Sequence, residues 1–303
     1  MGSRFANMPA WFWKLALAVS AAIWGASFVV VKGALDDVPP CWMLVPRFGF
    51  TALILIVVFR RTLMEHLDRD HMLYGSILGI FSALGFVTQS IGLADTTPGR
   101  SAFLTAVYCI LVPFLNWAVA RRKPKGMHVV AAVLAILGIG LISLAEGFSL
   151  AFSFGDGLSL VDAVFYALHI VFVARFSEGR DIMTLTIVQI VASIPIALVF
   201  ALVLEQPPAL GAISPSFWIS LGYLVIFSSC IGMVVQNVAQ SIVEPATAAL
   251  LLSLESVFAV FFSVIFFNEP LTARILLGFS LIFVAVVVSE VLPSLLERGE
   301  RRQ

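Results

Sequence analysis

Charged side chains are scarce in this sequence. Aspartate, glutamate, lysine and arginine make up only 12% of the 303 residues, whereas 60% of the residues are hydrophobic. A soluble domain is about half apolar and about a quarter charged, so this composition excludes a chain that is water-soluble throughout. Because the apolar runs recur along the whole length, they indicate an integral membrane protein rather than a soluble domain with one anchor.

Residues for metal, redox and nucleophilic chemistry are also few. The three cysteines, Cys41, Cys109 and Cys230, lie in or beside apolar runs without the spacing of a disulfide or metal framework. None of the four histidines begins a paired ligand motif, and the sequence has neither a phosphate loop nor a nucleophile elbow. The net charge is zero, so no nucleic acid partner is expected. We therefore expect no cofactor, no metal and no enzymatic activity.

Long apolar runs are what the sequence does contain. A helix needs about 20 apolar residues to cross roughly 30 Å of hydrocarbon. Short connectors with proline or glycine separate the runs, and none is long enough to divide the chain into independent domains. The sequence predicts ten transmembrane helices, at about 14–34, 40–60, 72–92, 98–120, 127–145, 157–176, 183–204, 217–238, 246–267 and 273–292.

Basic residues are distributed unevenly between the two sides of this arrangement. Of the 18 lysines and arginines, only Lys32, Arg100 and Arg274 fall on the side opposite the N-terminus, and Arg47 lies within a span. The positive-inside rule therefore predicts two cytoplasmic termini, as an even number of spans requires. The first run is interpreted as a retained span rather than a signal peptide. We expect a multi-pass protein of the cell membrane, the inner membrane of a bacterium, with a cytoplasmic tail at 293–303.

The chain contains an internal repeat. Residues 86–107 align with residues 233–254 without a gap, and a second gapless match joins the first spans of each half. The first match pairs Gln89 with Gln236, Pro98 with Pro245, Ala102 with Ala249 and Leu104 with Leu251. The second pairs Ser20, Trp24, Ser27 and Arg47 with Asp162, Tyr166, His169 and Gln189. We therefore divide the chain into two five-helix repeats, 14–147 and 155–292.

Five membrane crossings are an odd number, so the second repeat must enter the membrane from the opposite face. Two copies related in this way form an inverted repeat, which many secondary transporters use to build alternating gates around one central site. The expected fold class is all-α integral membrane, with ten transmembrane helices arranged as two inverted five-helix repeats. The expected function class is a carrier.

Polar groups deep in lipid are costly, so each is a candidate for function. Glu255 is the principal candidate, about 14 Å from the cytoplasmic end of its span and at roughly the same depth as His169. There it would carry a proton or serve as the counter-ion of an ammonium group. A carboxyl group that only bridges two helices is the structural alternative. His169 could pair with Glu255 or be a hydrogen-bonded structural histidine.

Spacing along the helices places polar groups in stripes. Asp162, Tyr166 and His169 stand at i, i+4 and i+7, which is one face of a helix. Similar stripes are Ser20–Trp24–Ser27, Ser101–Thr105–Tyr108 and Gln236–Gln240. Such stripes on apolar helices predict a shared aqueous cavity. The candidates for substrate binding or proton coupling are Glu255, His169, Trp24, Tyr108, Tyr166, Gln89, Gln236, Asn237, Ser27 and Asp162.

Each of these candidates has a structural alternative. The aromatic rings could line a substrate site or hold a cation, but they could also serve packing alone. The amides could bind a zwitterion or join helices. Asp162 is shallower than Glu255 and could face only the outer vestibule. Arg47 could bind a carboxylate or extend from the outer end of its span to the surface.

Motifs in four of the spans, taken together, resemble one known family. They are Trp24–Phe28, Arg47-Phe48, Ser101–Thr105, and Leu254-Glu255 followed by Asn268-Glu269. In these the sequence is similar to the drug/metabolite transporter superfamily, EamA type, over about residues 14–292. The resemblance implies an exporter of amino acids and small metabolites, with a cavity lined by spans one, three, four, six, eight and nine. The sequence departs from the family pattern at Ser256, where proline is common, and at residues 121–124.

The expected function is secondary-active transport of a small metabolite by alternating access. We expect export of amino acids or related amines, with proton coupling at Glu255. The alternative within the carrier class is a multidrug or quaternary-cation exporter. The alternative of another class, an intramembrane enzyme or sensor, would need a second catalytic group near Glu255 or a signalling domain. The expected partners are a small-molecule substrate and membrane lipid, and the chain would act as a monomer or as a homodimer.

Overall fold

A computed structural model describes residues 8–121, 123–124, 126–143, 153–209, 211, 213–267 and 272–290. The expected cytoplasmic tail, 293–303, lies outside these residues. Within them the regular structure is entirely helical. The helices are α1 Ala10–Ala34, α2 Pro40–Val58, α3 Arg60–His66, α4 Arg69–Ala94, α5 Pro98–Thr105, α6 Tyr108–Ala120, α7 Gly126–Ser143, α8 Phe154–Phe176, α9 Ile182–Leu204, α10 Pro215–Tyr223, α11 Met233–Gln240, α12 Pro245–Leu252, α13 Leu254–Phe267 and α14 Ala273–Glu290, with a π-helical stretch, Leu224–Gly232, between α10 and α11.

The described part of the chain contains eight helical runs that are long and apolar enough to cross a membrane. They are α1, α2, α4, α5 with α6, α8, α9, α10 to α11 through the π-helical stretch, and α12 with α13. The chain is therefore a multi-pass membrane protein. The two other predicted spans coincide with α7 and α14, which have 18 residues each and pack against each other. The total of ten spans stays a prediction.

Helix starts follow the local sequence. Helices α2, α5, α10 and α12 have proline in the first turn, where its missing N–H costs nothing. Asp68 accepts a hydrogen bond from the His71 backbone N–H and caps α4. That bond and a second one to the His71 ring hold the pKa of the Asp68 carboxyl below its usual range. Ser153 and Asp156 form a reciprocal capping box at α8.

Small residues set the distance between packed helices. A Cβ atom added at Gly25 of α1 would lie 2.5 Å from the Phe258 Cβ and 2.7 Å from the Glu255 carbonyl oxygen. One added at Gly79 of α4 would lie 2.6 Å from the Gln189 carbonyl oxygen of α9. Such backbone approach is how small residues join helices in lipid. The contact at Gly25 places the first turn of α13, with Glu255, directly against α1.

Two spans are broken at positions that the gapless alignment of residues 86–107 with residues 233–254 pairs with each other. Helix α5 ends next to Ala106, and α12 ends next to Ser253; these two residues have nearly the same backbone angles, φ −62° and ψ −9° against φ −61° and ψ −14°. Extending the gapless alignment of residues 86–107 by one position sets Tyr108 against Glu255. Tyr108 begins α6, and Glu255 lies in the first turn of α13. Both breaks therefore bring a polar side chain to the start of the second half of a span.

Candidate functional site

A small cavity lies between α1, α2, α4, α8, α13 and the π-helical stretch. Its volume is about 20 Å³, room for about one water molecule. Five of the ten candidates from the sequence line it: Trp24, Ser27, Gln89, Tyr166 and Glu255. The remaining wall consists of Phe28, Val31, Arg47, Phe86, Leu93 and Ser228.

Asp162 does not line this cavity and is completely buried. Its Oδ2 atom accepts hydrogen bonds from Gln89 Nε2 at 3.1 Å and from Thr105 Oγ1 at 2.9 Å. Its Oδ1 atom has no hydrogen-bond partner among the described residues. Since Gln89 itself lines the cavity, it connects the Asp162 carboxyl with the cavity wall.

Glu255 is buried in the cavity wall, with 2% of its surface exposed. Its Oε1 atom and the Tyr108 hydroxyl form no hydrogen bond of ordinary length in the part of the chain that is described. The Tyr108 hydroxyl lies close enough to the Glu255 carboxyl to interact with it electrostatically, and the Asp162 carboxyl does so too. Two acidic groups thus share one apolar region.

Aromatic rings meet at Tyr166, which lies near both carboxyl groups. Trp24 meets Tyr166 edge to face, with 5.6 Å between ring centroids, and Tyr166 is 5.5 Å from Tyr108. The His169 ring lies 6.3 Å from Tyr166 and does not line the cavity. No hydrogen bond or ion pair in the described structure joins His169 to Glu255. Of this row of rings, Trp24 and Tyr166 line the cavity, whereas His169 contacts Tyr166 from outside the cavity wall.

The remaining amide candidates belong to a different contact. Asn237 donates from Nδ2 to Thr186 Oγ1 and to Gln189 Oε1, each at 3.0 Å, and so ties α11 to α9. Gln236 is buried, and its amide has no partner among the described residues. Neither side chain lines the cavity. The sequence predicts that Gln236 and Asn237 belong to the same site as Glu255, but the fold places both amides outside the cavity wall.

Arg47 belongs to the site although the candidate set omits it. The alternative that its side chain extends to the outer surface is wrong, because only 2% of the residue is exposed. Its Nε donates to Ser229 Oγ at 2.8 Å and its Nη2 donates to Ser228 Oγ at 2.9 Å. Its guanidinium carbon lies 4.6 Å from the centroid of the Phe86 ring. The π-helical stretch that presents both serines has no signature in the sequence, which explains why the contact was missed.

The π-helical stretch also holds Trp24 in the cavity wall. The Trp24 Nε1 atom donates to the Ser228 carbonyl oxygen at 3.0 Å. A Cβ atom added at Gly232 would lie 2.7 Å from the same nitrogen, so only glycine leaves room for the indole there. Short π-helical segments are rare and are frequent at functional sites, because their wider turn redirects side chains and carbonyl groups.

The family assignment follows from comparison with known proteins. The family model of the EamA-like transporter family matches residues 11–144 and 153–290. The chain belongs to this family. An uncharacterized transporter of Archaeoglobus fulgidus is 31% identical over 274 residues, which cover 90% of this chain and 84% of the relative. The uncharacterized transporter YvbV of Bacillus subtilis is 26% identical over 276 residues, covering 90% and 89%.

A solved crystal structure has the same fold as this EamA-like chain. It aligns with a TM-score of 0.76 at 14% identity, over 93% of this chain and 97% of that one. At that identity the likeness shows the fold alone. The family resemblance drawn from the sequence is confirmed, and the protein is a membrane transporter rather than an enzyme.

Proposed function

We propose that this EamA-like transporter exports small metabolites bearing an ammonium group, such as amino acids or related amines, by proton-coupled alternating access. The observation that carries the proposal is the pair of buried carboxyl groups, Asp162 and Glu255, beside one cavity. Each has an oxygen without a partner among the described residues. A buried carboxylate is costly unless it binds a proton or meets a cation. Competition between these two occupants is the simplest way to couple a proton to an ammonium group.

The residues around the carboxyl groups suit such a substrate. The rings of Trp24 and Tyr166 offer faces that attract a cation and edges that pack an organic side chain. Gln89 and Ser27 supply neutral hydrogen-bonding groups in the same wall. In this proposal the Tyr108 hydroxyl orients the Glu255 carboxyl group. His169, Gln236 and Asn237 would act in other conformations of the cycle or hold helices together.

The inverted repeat is also part of the proposal, and two kinds of contact support it. Paired residues meet each other: Trp24 contacts Tyr166, which the second match pairs with it, and Tyr108 lies beside Glu255, which the first match pairs with it when extended by one position. Packed helix pairs also have counterparts under the proposed repeat. Helix α1 packs on α13, and their counterparts α8 and α6 pack on each other. Helix α4 packs on α8, and their counterparts α11 and α1 pack on each other. A two-fold relation between five-helix halves produces these coincidences.

We further propose that the two repeats are 14–147 and 155–292, with ten spans and both termini in the cytoplasm. The membrane would be the inner membrane of a bacterium. In this arrangement α7 and α14 pack mainly on each other, away from the cavity. They would therefore face lipid in a monomer or a second copy in a homodimer.

The test of proton coupling is the variant Glu255→Gln in proteoliposomes. Glutamine keeps the shape of the side chain but cannot exchange a proton. We expect uptake of radiolabelled amino acids driven by a pH gradient to fall at least about tenfold, while the protein elutes and unfolds as the wild type does. Glu178→Gln is the matched control, since Glu178 is exposed and pairs with Arg175 at 2.8 Å. Undiminished pH-driven flux in Glu255→Gln would exclude Glu255 from coupling.

Quaternary organic cations are the second candidate substrates, and the aromatic cavity wall favours them. A competition panel separates the two classes. Amino acids that reduce labelled flux, with no effect of tetraalkylammonium ions, support the first proposal, and the reverse pattern supports the second.

A further inference from the structure

Arg47 is a buried cation without a counter-charge in the described structure. Only 2% of the residue is exposed, and no carboxylate of the described chain forms an ion pair with it. Glu255 lines the same cavity, yet no ion pair joins the two. By contrast, Arg100 and Arg180 pair with Asp156 and Asp70 at 2.6 and 2.8 Å. A charge buried in a membrane protein is normally paired, so the arrangement at Arg47 calls for a partner from outside the chain.

The neighbours of Arg47 hold the guanidinium without neutralising it. Two serine hydroxyls accept from Nε and Nη2, and the Phe86 ring supports one face. Within the described residues no hydrogen bond uses Nη1, and the side chain lines the cavity. Three neutral contacts thus orient a planar donor group, whose geometry matches the two oxygens of a carboxylate.

We propose that Arg47 binds the carboxylate of the transported molecule. This inference rests on the proposed transport function and narrows its substrates to compounds with an anionic group. An amino acid would place its carboxylate at Arg47 and its ammonium group toward Glu255 and Asp162, across the same cavity. A quaternary cation without an acidic group would leave Arg47 unpaired. A cavity of about 20 Å³ does not hold an amino acid, so binding accompanies an outward movement of the cavity walls.

The test compares acids with neutral analogues on the purified full-length protein. The probes are the twenty L-amino acids, their carboxamides and their decarboxylated amines, and the readout is ligand-induced thermal stabilisation in detergent. For wild type we expect acids to bind on the order of 10- to 100-fold more tightly than their amides and amines, as for a charge-assisted hydrogen-bonded pair. Arg47→Gln should abolish this difference. Arg47→Lys keeps the positive charge but lacks the two parallel N–H donors of the guanidinium, so it should retain part of the preference for acids.

Arg180→Gln is the matched control, because the Arg180 guanidinium also lies over a ring, that of Tyr74 at 4.1 Å, but outside the cavity. It should bind acids as the wild type does. A second variant, Ser228→Ala with Ser229→Ala, keeps the cation and removes both hydroxyls that orient it. We expect it to bind acids roughly 3- to 10-fold more weakly and amines unchanged. This variant tests the site even where Arg47→Gln fails to fold.

Three results would overturn the inference. They are equal binding of acids and amides to wild type, unchanged acid preference in Arg47→Gln, and no binding of any acid to wild type. A counterflow measurement distinguishes the loss of this inference from the loss of the transport proposal. If organic cations still show counterflow that depends on Glu255, transport stands and only the carboxylate site is lost. If no compound of either class moves, the transport proposal itself fails.

Discussion

The contact at Gly25 gives a quantitative test of how the site is positioned. In Gly25→Ala the added Cβ atom would lie 2.5 Å from the Phe258 Cβ and 2.7 Å from the Glu255 carbonyl oxygen. Carbon atoms pack at about 3.5–4.0 Å, so α1 and α13 must separate by about 1 Å. Two of the three nearest atoms are backbone atoms of α13 and cannot rotate away.

Overpacking of this kind costs about 1–3 kcal/mol, and backbone obstacles favour the upper part of that range. Replacing a helical glycine by alanine returns about 1 kcal/mol of helix propensity. The expected net loss is therefore about 2 kcal/mol of unfolding free energy. Gly49→Ala is the matched control, because Gly49 lies in the middle of α2 and a Cβ atom there meets nothing within 4 Å. That variant should be neutral or up to about 1 kcal/mol more stable.

Reversible unfolding in mixed detergent micelles measures both variants against the wild type. Because the α13 backbone that carries Glu255 must move, transport by Gly25→Ala should fall together with stability. The reasoning is refuted if Gly25→Ala and Gly49→Ala have equal unfolding free energies. It is refuted equally if Gly25→Ala loses stability but transports at the wild-type rate, since Glu255 would then tolerate the displacement.

Two further predictions concern packing and topology. Asn237→Leu removes the donor to Thr186 and Gln189 and leaves buried acceptors unpaired, so it should cost about 1–3 kcal/mol in the same unfolding assay, with transport by the folded fraction retained. In a cysteine-free background, Arg121→Cys and Arg274→Cys should react with a membrane-impermeant thiol reagent from opposite sides of intact cells. Reaction of both from one side would contradict the inverted repeat.

The sequence predicts the helices and their order well, because membrane spans follow from composition and caps follow from nearby residues. Pro98, Pro245, Ser153 and Asp68 each act where local chemistry places them. The repeat stays a prediction, and the pattern that predicts it is local as well: Pro98 and Pro245 begin helices at paired positions of the alignment.

The composition of the cavity wall depended on tertiary contacts that no spacing rule contains. A polar stripe fixes which face of a helix is polar but not which neighbour that face meets. Asn237 therefore joins α9, whereas Gln89 reaches Asp162. The position of Arg47 in the sequence allows its side chain to extend to the membrane surface, but the π-helical stretch supplies two hydroxyls that keep it buried. Such a change of helical pitch arises from packing rather than from composition.

The juxtaposition of Tyr108 and Glu255 bears on what a duplicated chain gains over two identical subunits. In an assembly of two identical units, a side chain on the symmetry axis faces its own copy, and two acids there would repel each other. Joining the units in one polypeptide lifts that restriction. Tyr108 occupies the position that the extended alignment pairs with Glu255, so these two positions carry one carboxyl group and one phenol instead of two carboxyl groups.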